Sequence, residues 1–383
     1  MKRRTFIASL ATPFLVGCAT TSGTVFQNSA GDFDELREEF RETGRVEGLS
    51  LRQVRQQRGI DIGATLPHTF HAYGRSMPEG AWNTVQNEFS LATPEINLEW
   101  WEEWRYPENQ RDIVRLANSG KKIRGHNLYF YLWLPDPVKQ MAQDGSVSAG
   151  QLGDYIYEKA SARVRRWGNQ VSYWSINETM NFGGGPGLRI DPVTRKLGMD
   201  TFRILVAAVK DSYPNKPVEL NDFAVERSGT QMDRHVVNVV DYLDNYGLSI
   251  DRVGYQCHID WRGGRKDFSA AAVVSSAQRM QRLGLDIAIT EIDVDDRGFS
   301  GDAPGRDEFV ARSLYNELMR LREVPSLVEV STWSPFDIDN WIRRNDKTSP
   351  GFSDARSAQS KCGWFDENYN RKLSYYAVCK ALS

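Results

Sequence analysis

Cysteine and histidine are scarce in this chain: four and five, respectively, in 383 residues. No Cys-x-x-Cys or His-Glu-x-x-His spacing occurs, so no metal centre is expected, and nothing in the sequence implies an organic cofactor. Charge of one sign is not in excess. Lys and Arg number 48 against 50 Asp and Glu, a net charge of −2, which gives no global field for a nucleic-acid partner. Long apolar runs are also missing: the stretch from Phe6 to Val16 is too short to span a bilayer. No low-complexity linker divides the chain beyond about residue 50, so one large domain is expected over 51–383. A globular composition remains, 40% hydrophobic and 26% charged, with 11 Trp and 15 Tyr.

The first residues read as an address. Lys2, Arg3 and Arg4 precede the apolar run. Leu15-Val16-Gly17-Cys18 resembles a bacterial lipoprotein signal, and Arg3-Arg4-Thr5-Phe6-Ile7 resembles a twin-arginine export signal. A plain secretory signal is the alternative. The lipoprotein resemblance implies that 1–18 is a signal segment and that Cys18 is lipidated. It also implies an exported protein that touches the membrane through an N-terminal lipid, periplasmic or at the outer-membrane surface. Ala19 after the cysteine fits outer-membrane sorting. Residues 19–50 read as a tether with one short, exposed helix. An oxidising compartment would permit a Cys362–Cys379 disulfide, whereas Cys257, inside an apolar strand, reads as a buried free thiol.

Beyond residue 50, short apolar runs alternate with helical patterns. The strand candidates are 60–65, 88–93, 122–129, 171–177, 218–221, 253–258, 286–291 and 328–334. Helical segments at 109–119, 151–167, 200–212, 230–246, 270–283 and 306–322 lie between them. Such alternation predicts a parallel sheet with crossover helices. Eight repeats in about 325 residues suit a closed (β/α)8 TIM barrel.

Two glutamates stand out against this pattern. Glu178 ends Tyr173-Trp174-Ser175-Ile176-Asn177-Glu178, and Glu291 ends Ile287-Ala288-Ile289-Thr290-Glu291. Burying a charged carboxylate costs several kcal/mol unless it is paired. About half of such residues serve as structural ion-pair partners, an order-of-magnitude prior. In a barrel, however, the C-terminal strand ends form the active-site mouth. Glu178 is expected to close the fourth strand and Glu291 the seventh. His126, Asn221, Gln256, His258 and Trp333 lie at or near other strand ends. Two carboxyls facing one site are what glycosidic bond hydrolysis requires.

Seven segments, in order from about Gln53 to the C-terminus, resemble glycoside hydrolase family 10, best known for endo-β-1,4-xylanases. They are Arg124-Gly125-His126-Asn127-Leu128, Trp174-Ser175-Ile176-Asn177-Glu178, Asn221-Asp222-Phe223, Gly254-Tyr255-Gln256-Cys257-His258, Ile289-Thr290-Glu291-Ile292-Asp293, Trp333-Ser334-Pro335-Phe336-Asp337 with Trp341, and Phe365-Asp366-Glu367-Asn368-Tyr369. The resemblance implies Glu178 as general acid/base and Glu291 as nucleophile, oriented by His258 with Asp293 behind it. Asn177 would reach the sugar 2-hydroxyl. Glu95, His126, Asn221, Gln256, Trp333 and Trp341 would bind substrate. For Asn221 and Gln256 a structural role stays open, as does plain core packing for the two tryptophans. The expected partner is a polysaccharide or oligosaccharide, the expected outcome is retention, and the expected state is a monomer.

The chain departs from the family pattern around the glycone. Glu95 and Trp100 match, but Ile96 stands where the family has Asn and Glu99 where it has Lys. Phe130 and Tyr131 replace Trp and His. Trp100, Trp101 and Trp104 read as a stacking wall or as core. Arg343, Arg344 and Lys347 place cations beside Trp341, either as a solvated loop or facing an acidic substituent. Three readings follow: an endo-acting xylanase on plant or algal polysaccharide, the same chemistry on a non-xylan and acidic glycan, or a glycan-binding lipoprotein without turnover. The paired glutamates with Asn177 and His258 disfavour the third.

Overall fold

A computed structural model describes residues 22–66, 77–94, 107–180, 187–223, 230–261, 266, 268–338, 340–343 and 360–383. Cys18, Glu95, Ile96, Glu99, Trp100, Trp101, Trp104, Arg344 and Lys347 lie outside the described residues.

The strands are β1 (Asp61–Leu66), β2 (Leu91–Pro94), β3 (Lys122–Tyr129), β4 (Tyr173–Asn177), β5 (Val218–Asp222), β6 (Arg252–Tyr255), β7 (His258–Asp260), β8 (Asp286–Asp295) and β9 (Leu327–Thr332). All pairings between them are parallel, β1 pairs with both β2 and β9, and β6 pairs with both β5 and β8. Eight of these strands therefore close into the expected (β/α)8 barrel, with no free edge. Parallel strands covered on both faces read as near-continuous apolar runs, which is why 122–129 matches β3 in full. Helices fill the crossovers. Ala149–Trp167 starts at Ser148, whose hydroxyl accepts from Gln151 N while Gln151 Oε1 accepts from Ser148 N, a reciprocal cap.

Three expectations about the elements change. The sixth strand does not run unbroken to His258. Cys257 adopts φ +60°, and the chain resumes as β7, with His258 in register with Asp293. The seventh strand continues past Glu291 to Asp295, so Glu291 lies inside β8 rather than at its end. The N-terminal helix is neither short nor fully exposed. It spans Ser22–Thr43, and Phe33 and Leu36 are buried. Phe33 packs 5.4 Å from Tyr315, and Phe40 packs 5.6 Å from Tyr376; positions 33, 36 and 40 make one apolar stripe.

Asp34 meets Arg312, while Arg37 and Arg41 both meet Glu308. The helix therefore runs antiparallel to Ala303–Leu321, which descends from the mouth to the floor of the barrel. Its N-terminal end lies on the floor side. Among the described residues no helix is long and apolar enough to cross a membrane.

The Cys362–Cys379 disulfide is not formed. Cys257, Cys362 and Cys379 are buried free thiols. Cys362 lies among Asp293 and Asp296 near the mouth, whereas Cys379 sits in the C-terminal helix Leu373–Leu382 beside Tyr375 and Glu88.

Candidate active site

Glu178 follows the last residue of β4 in a left-handed turn, φ +52°, and its N–H donates to Asn221 O at 2.9 Å. Gln256 Nε2 donates to Glu178 Oε1 at 3.4 Å. On the other oxygen, the Arg189 guanidinium stands 3.5 Å away. Arg189 also lies over the Tyr131 ring, 4.7 Å from its centre, and within 5.8 Å of that of Phe223. Burial pushes the Glu178 carboxyl up to about 7. Arg189 opposes that shift, the charge of Glu291 adds to it, and Gln256 and His258 oppose it. A carboxylic acid in that range can give up and take back a proton near neutrality.

Glu291 is buried and held by donors on both oxygens. Asn221 Nδ2 donates to Oε1 at 2.9 Å, and Arg124 approaches the same oxygen at 3.4 Å. His258 Nε2 lies 3.5 Å from Oε2. The Asn221 amide is fixed because Thr290 Oγ1 donates to its Oδ1 at 2.6 Å. A side chain at position 254 would destroy this arrangement: a Cβ on Gly254 would lie 2.5 Å from Asn221 Oδ1 and 2.8 Å from Thr290 Cγ2. His258 Nδ1 contacts Asp293 Oδ1 at 2.7 Å. Asp293 Oδ2 in turn accepts from Ser334 Oγ at 3.1 Å and from Trp341 Nε1. Burial disfavours a charged imidazole, but Asp293 and Glu291 outweigh it and hold His258 well above the ordinary histidine value. His258 is thus a cation clamped between two carboxylates, and the break at Cys257 swings it there.

The remaining sequence candidates gather at the same mouth. Asn177 Oδ1 accepts from Ser175 Oγ at 3.0 Å, and its amide nitrogen lies 3.2 Å from His126 Nδ1. Burial and the nearby Arg124 keep His126 well below the usual histidine range, so it is neutral. Trp333 packs edge-on to His126, 5.0 Å between ring centres, and Trp341 covers His258 at 5.2 Å. Both tryptophans are half-buried rather than core. Arg343 is paired with Glu367 at 3.1 Å. The structure thus brings together Glu178, Glu291, His258, Asp293, His126, Asn177, Asn221, Gln256, Trp333 and Trp341. Glu95 and Cys18 fall outside the described residues. Among those residues no group of side chains could hold a metal ion.

Three site groups received no role from the sequence alone. Arg124 touches Glu291, and Arg189 touches Glu178. Asp222 accepts from Met180 N at 2.8 Å and Phe223 N at 3.1 Å, tying the turn after Glu178 to β5. Burial, and then the charge of Glu178, push Asp222 up to about 8. For Arg124 a signal existed, since an arginine inside an apolar strand needs a buried anion. For Arg189, in a connection between elements, there was none.

A family model described as glycosyl hydrolase family 10 matches residues 50–381. The endo-1,4-beta-xylanase 5 of Pyricularia oryzae is 28% identical over 304 residues, 78% of this chain and 70% of that protein. Endo-1,4-beta-xylanase B of Thermotoga neapolitana is 24% identical over 343 residues, covering 86% and 90%. Among solved structures, xylanase 10B from Thermotoga maritima superposes with a TM-score of 0.71 at 22% identity, over 87% of this chain and 98% of that one. The Penicillium canescens endo-1,4-beta-xylanase XylE does so with a TM-score of 0.71 at 20% identity, over 87% and 97%. At these identities the structural likeness speaks for the fold.

Proposed function

The chain belongs to glycosyl hydrolase family 10 and is a glycoside hydrolase, and from that premise we propose that it cleaves β-1,4-xylan or a related plant or algal polysaccharide within the chain, by double displacement on Glu178 and Glu291. Protonated Glu178 gives its proton to the glycosidic oxygen while ionised Glu291 attacks the anomeric carbon. The bond to the leaving sugar breaks, and a glycosyl ester forms on Glu291. Glu178, now ionised, takes a proton from water. That water attacks the same carbon, the ester bond breaks, and the carboxylate of Glu291 is restored. Two inversions give net retention. His258 and Asn221 orient Glu291, Asn177 meets the sugar 2-hydroxyl, and Trp333 and Trp341 offer faces to the sugar rings.

The observation that carries this reading is the unequal setting of the two carboxyls. One is raised to about 7 by burial; the other sits among Asn221, Arg124 and His258. Ile96 and Glu99, in place of the family's Asn and Lys, favour a second reading of substrate, a non-xylan glycan handled by the same chemistry, and the cations Arg189 and Arg343 near the mouth are the groups that would meet an acidic one. One experiment tests both. Wild type and Glu291→Ala are assayed on plain xylan, glucuronoxylan, mixed-linkage glucan and a sulfated glycan. Wild type should hydrolyse at least one, and the variant should lose about four orders of magnitude or more in kcat while still binding it. Unchanged turnover in the variant overturns the assignment. A clear preference for plain xylan overturns the acidic reading.

We also propose export and anchoring through Cys18.

A further inference from the structure

Beneath the two glutamates the barrel interior holds charges that the reaction above does not use. Arg124 on β3, Glu219 on β5, Arg252 on β6 and Glu329 on β9 are all buried. Arg124 Nη2 lies 2.9 Å from Glu219 Oε1, while its Nη1 faces Glu291 Oε1 at 3.4 Å. Arg252 Nη2 lies 3.3 Å from Glu219 Oε2 and 2.7 Å from Glu329 Oε2. Glu329 also accepts from Tyr173 OH at 2.6 Å and Ser331 Oγ at 2.7 Å, and Arg252 lies over the Tyr173 ring at 3.9 Å. From mouth to floor the order is Glu291, Arg124, Glu219, Arg252, Glu329. Signs alternate, and three carboxylates share two guanidiniums.

Barrel interiors are usually filled by layers of branched apolar side chains. Replacing a buried ionic cluster by such residues is often neutral or stabilising, so stability alone gives little reason for this one. Its upper end, however, touches the nucleophile. We propose that Arg252 and Glu329 are positioning residues for Glu291: acting through Glu219, they set how fully Arg124 is available to it. This rests on Glu291 being the nucleophile. The other groups facing Glu291 are Asn221 from β5, His258 from β7 with Asp293 behind it, and Glu178 across the mouth. The other groups facing the lower charges are Tyr173, Ser331 and, beside Arg124, His126.

Alternating signs make opposite predictions for neighbouring members. In Arg252→Met, Glu219 loses a cation and draws Arg124 toward itself and away from Glu291. The acidic limb of the pH profile of kcat/KM moves to higher pH. In Glu329→Gln, Arg252 turns wholly to Glu219, which releases Arg124 to Glu291, and the limb moves to lower pH. The double variant removes one charge of each sign and returns the limb toward that of wild type. If Arg252→Met does not fold, Arg252→Lys and the double variant keep the comparison. Limbs that stay fixed, or that move together in the two single variants, overturn the proposal. So does a fall in Tm with no change in the pH profile, because the network is then only structural. Persistent turnover in Glu291→Ala would instead overturn the nucleophile assignment, so the two failures are distinguishable.

Discussion

In the proposed double displacement Glu178 and Glu291 have the same side chain and take different tasks because their neighbours differ. Glu178 is raised from 4.5 to about 7 by burial, against the pull of Arg189. Its protonated form, needed for attack on the bond, is full below that value and lost as pH rises through it. The basic limb of kcat/KM should therefore lie near pH 7, and Arg189→Met should move it upward, measured on any hydrolysed substrate. A limb that falls to lower pH contradicts the role given to Arg189. The sequence could point to these glutamates because a carboxylate in an apolar strand needs a reason. By the same rule Glu219, between Val218 and Leu220, and Glu329, between Val328 and Val330, were equally eligible. They proved to be floor residues paired with Arg124 and Arg252. The rule reads burial, whereas the partner comes from another strand, so residue type alone cannot separate the two uses.

Strands and helices were legible because their apolar periodicities differ and because parallel strands are covered on both faces. Irregularities were not. The left-handed residue at Cys257 leaves the apolar run intact while breaking the strand, and that break places His258 opposite Asp293. The run of β8 past Glu291 is polar at Asp293 and Asp295, so periodicity stopped too early. The helix Ser22–Thr43 looked exposed because its charges dominate; its stripe of Phe33, Leu36 and Phe40 matters only against the barrel. Within β6, Gly254 leaves room for the Asn221–Thr290–Glu291 cluster. Gly254→Ala should lower kcat about ten- to a hundred-fold by shifting Asn221 off Glu291, with a smaller effect on KM. A variant with wild-type kcat would show that Asn221 is not needed to orient Glu291.

Closure of the barrel brings residues from β3, β4, β5, β7 and β8 to one mouth, although Arg124 and Asp293 are 169 positions apart in the sequence. Motif order reported that convergence; the glycone side, at Glu95, Ile96 and Glu99, lies outside the described residues. The N-terminal end of the helix Ser22–Thr43 lies on the face opposite the mouth. On the proposed anchoring through Cys18, Cys18→Ala should move the protein from the detergent phase to the aqueous phase in a two-phase partition with hydrolysis unchanged. Wild type found in the aqueous phase contradicts lipid anchoring. Double displacement requires that Glu291 become covalently bonded to sugar. The most direct measurement is mass spectrometry of peptides after incubation with an activated 2-deoxy-2-fluoro-xylobioside, or the matching fluoro-sugar of whichever glycan is hydrolysed. The predicted result is a single glycosyl adduct on the peptide that carries Glu291. An adduct on Glu178 or another carboxylate, or continued turnover with no adduct, would contradict it.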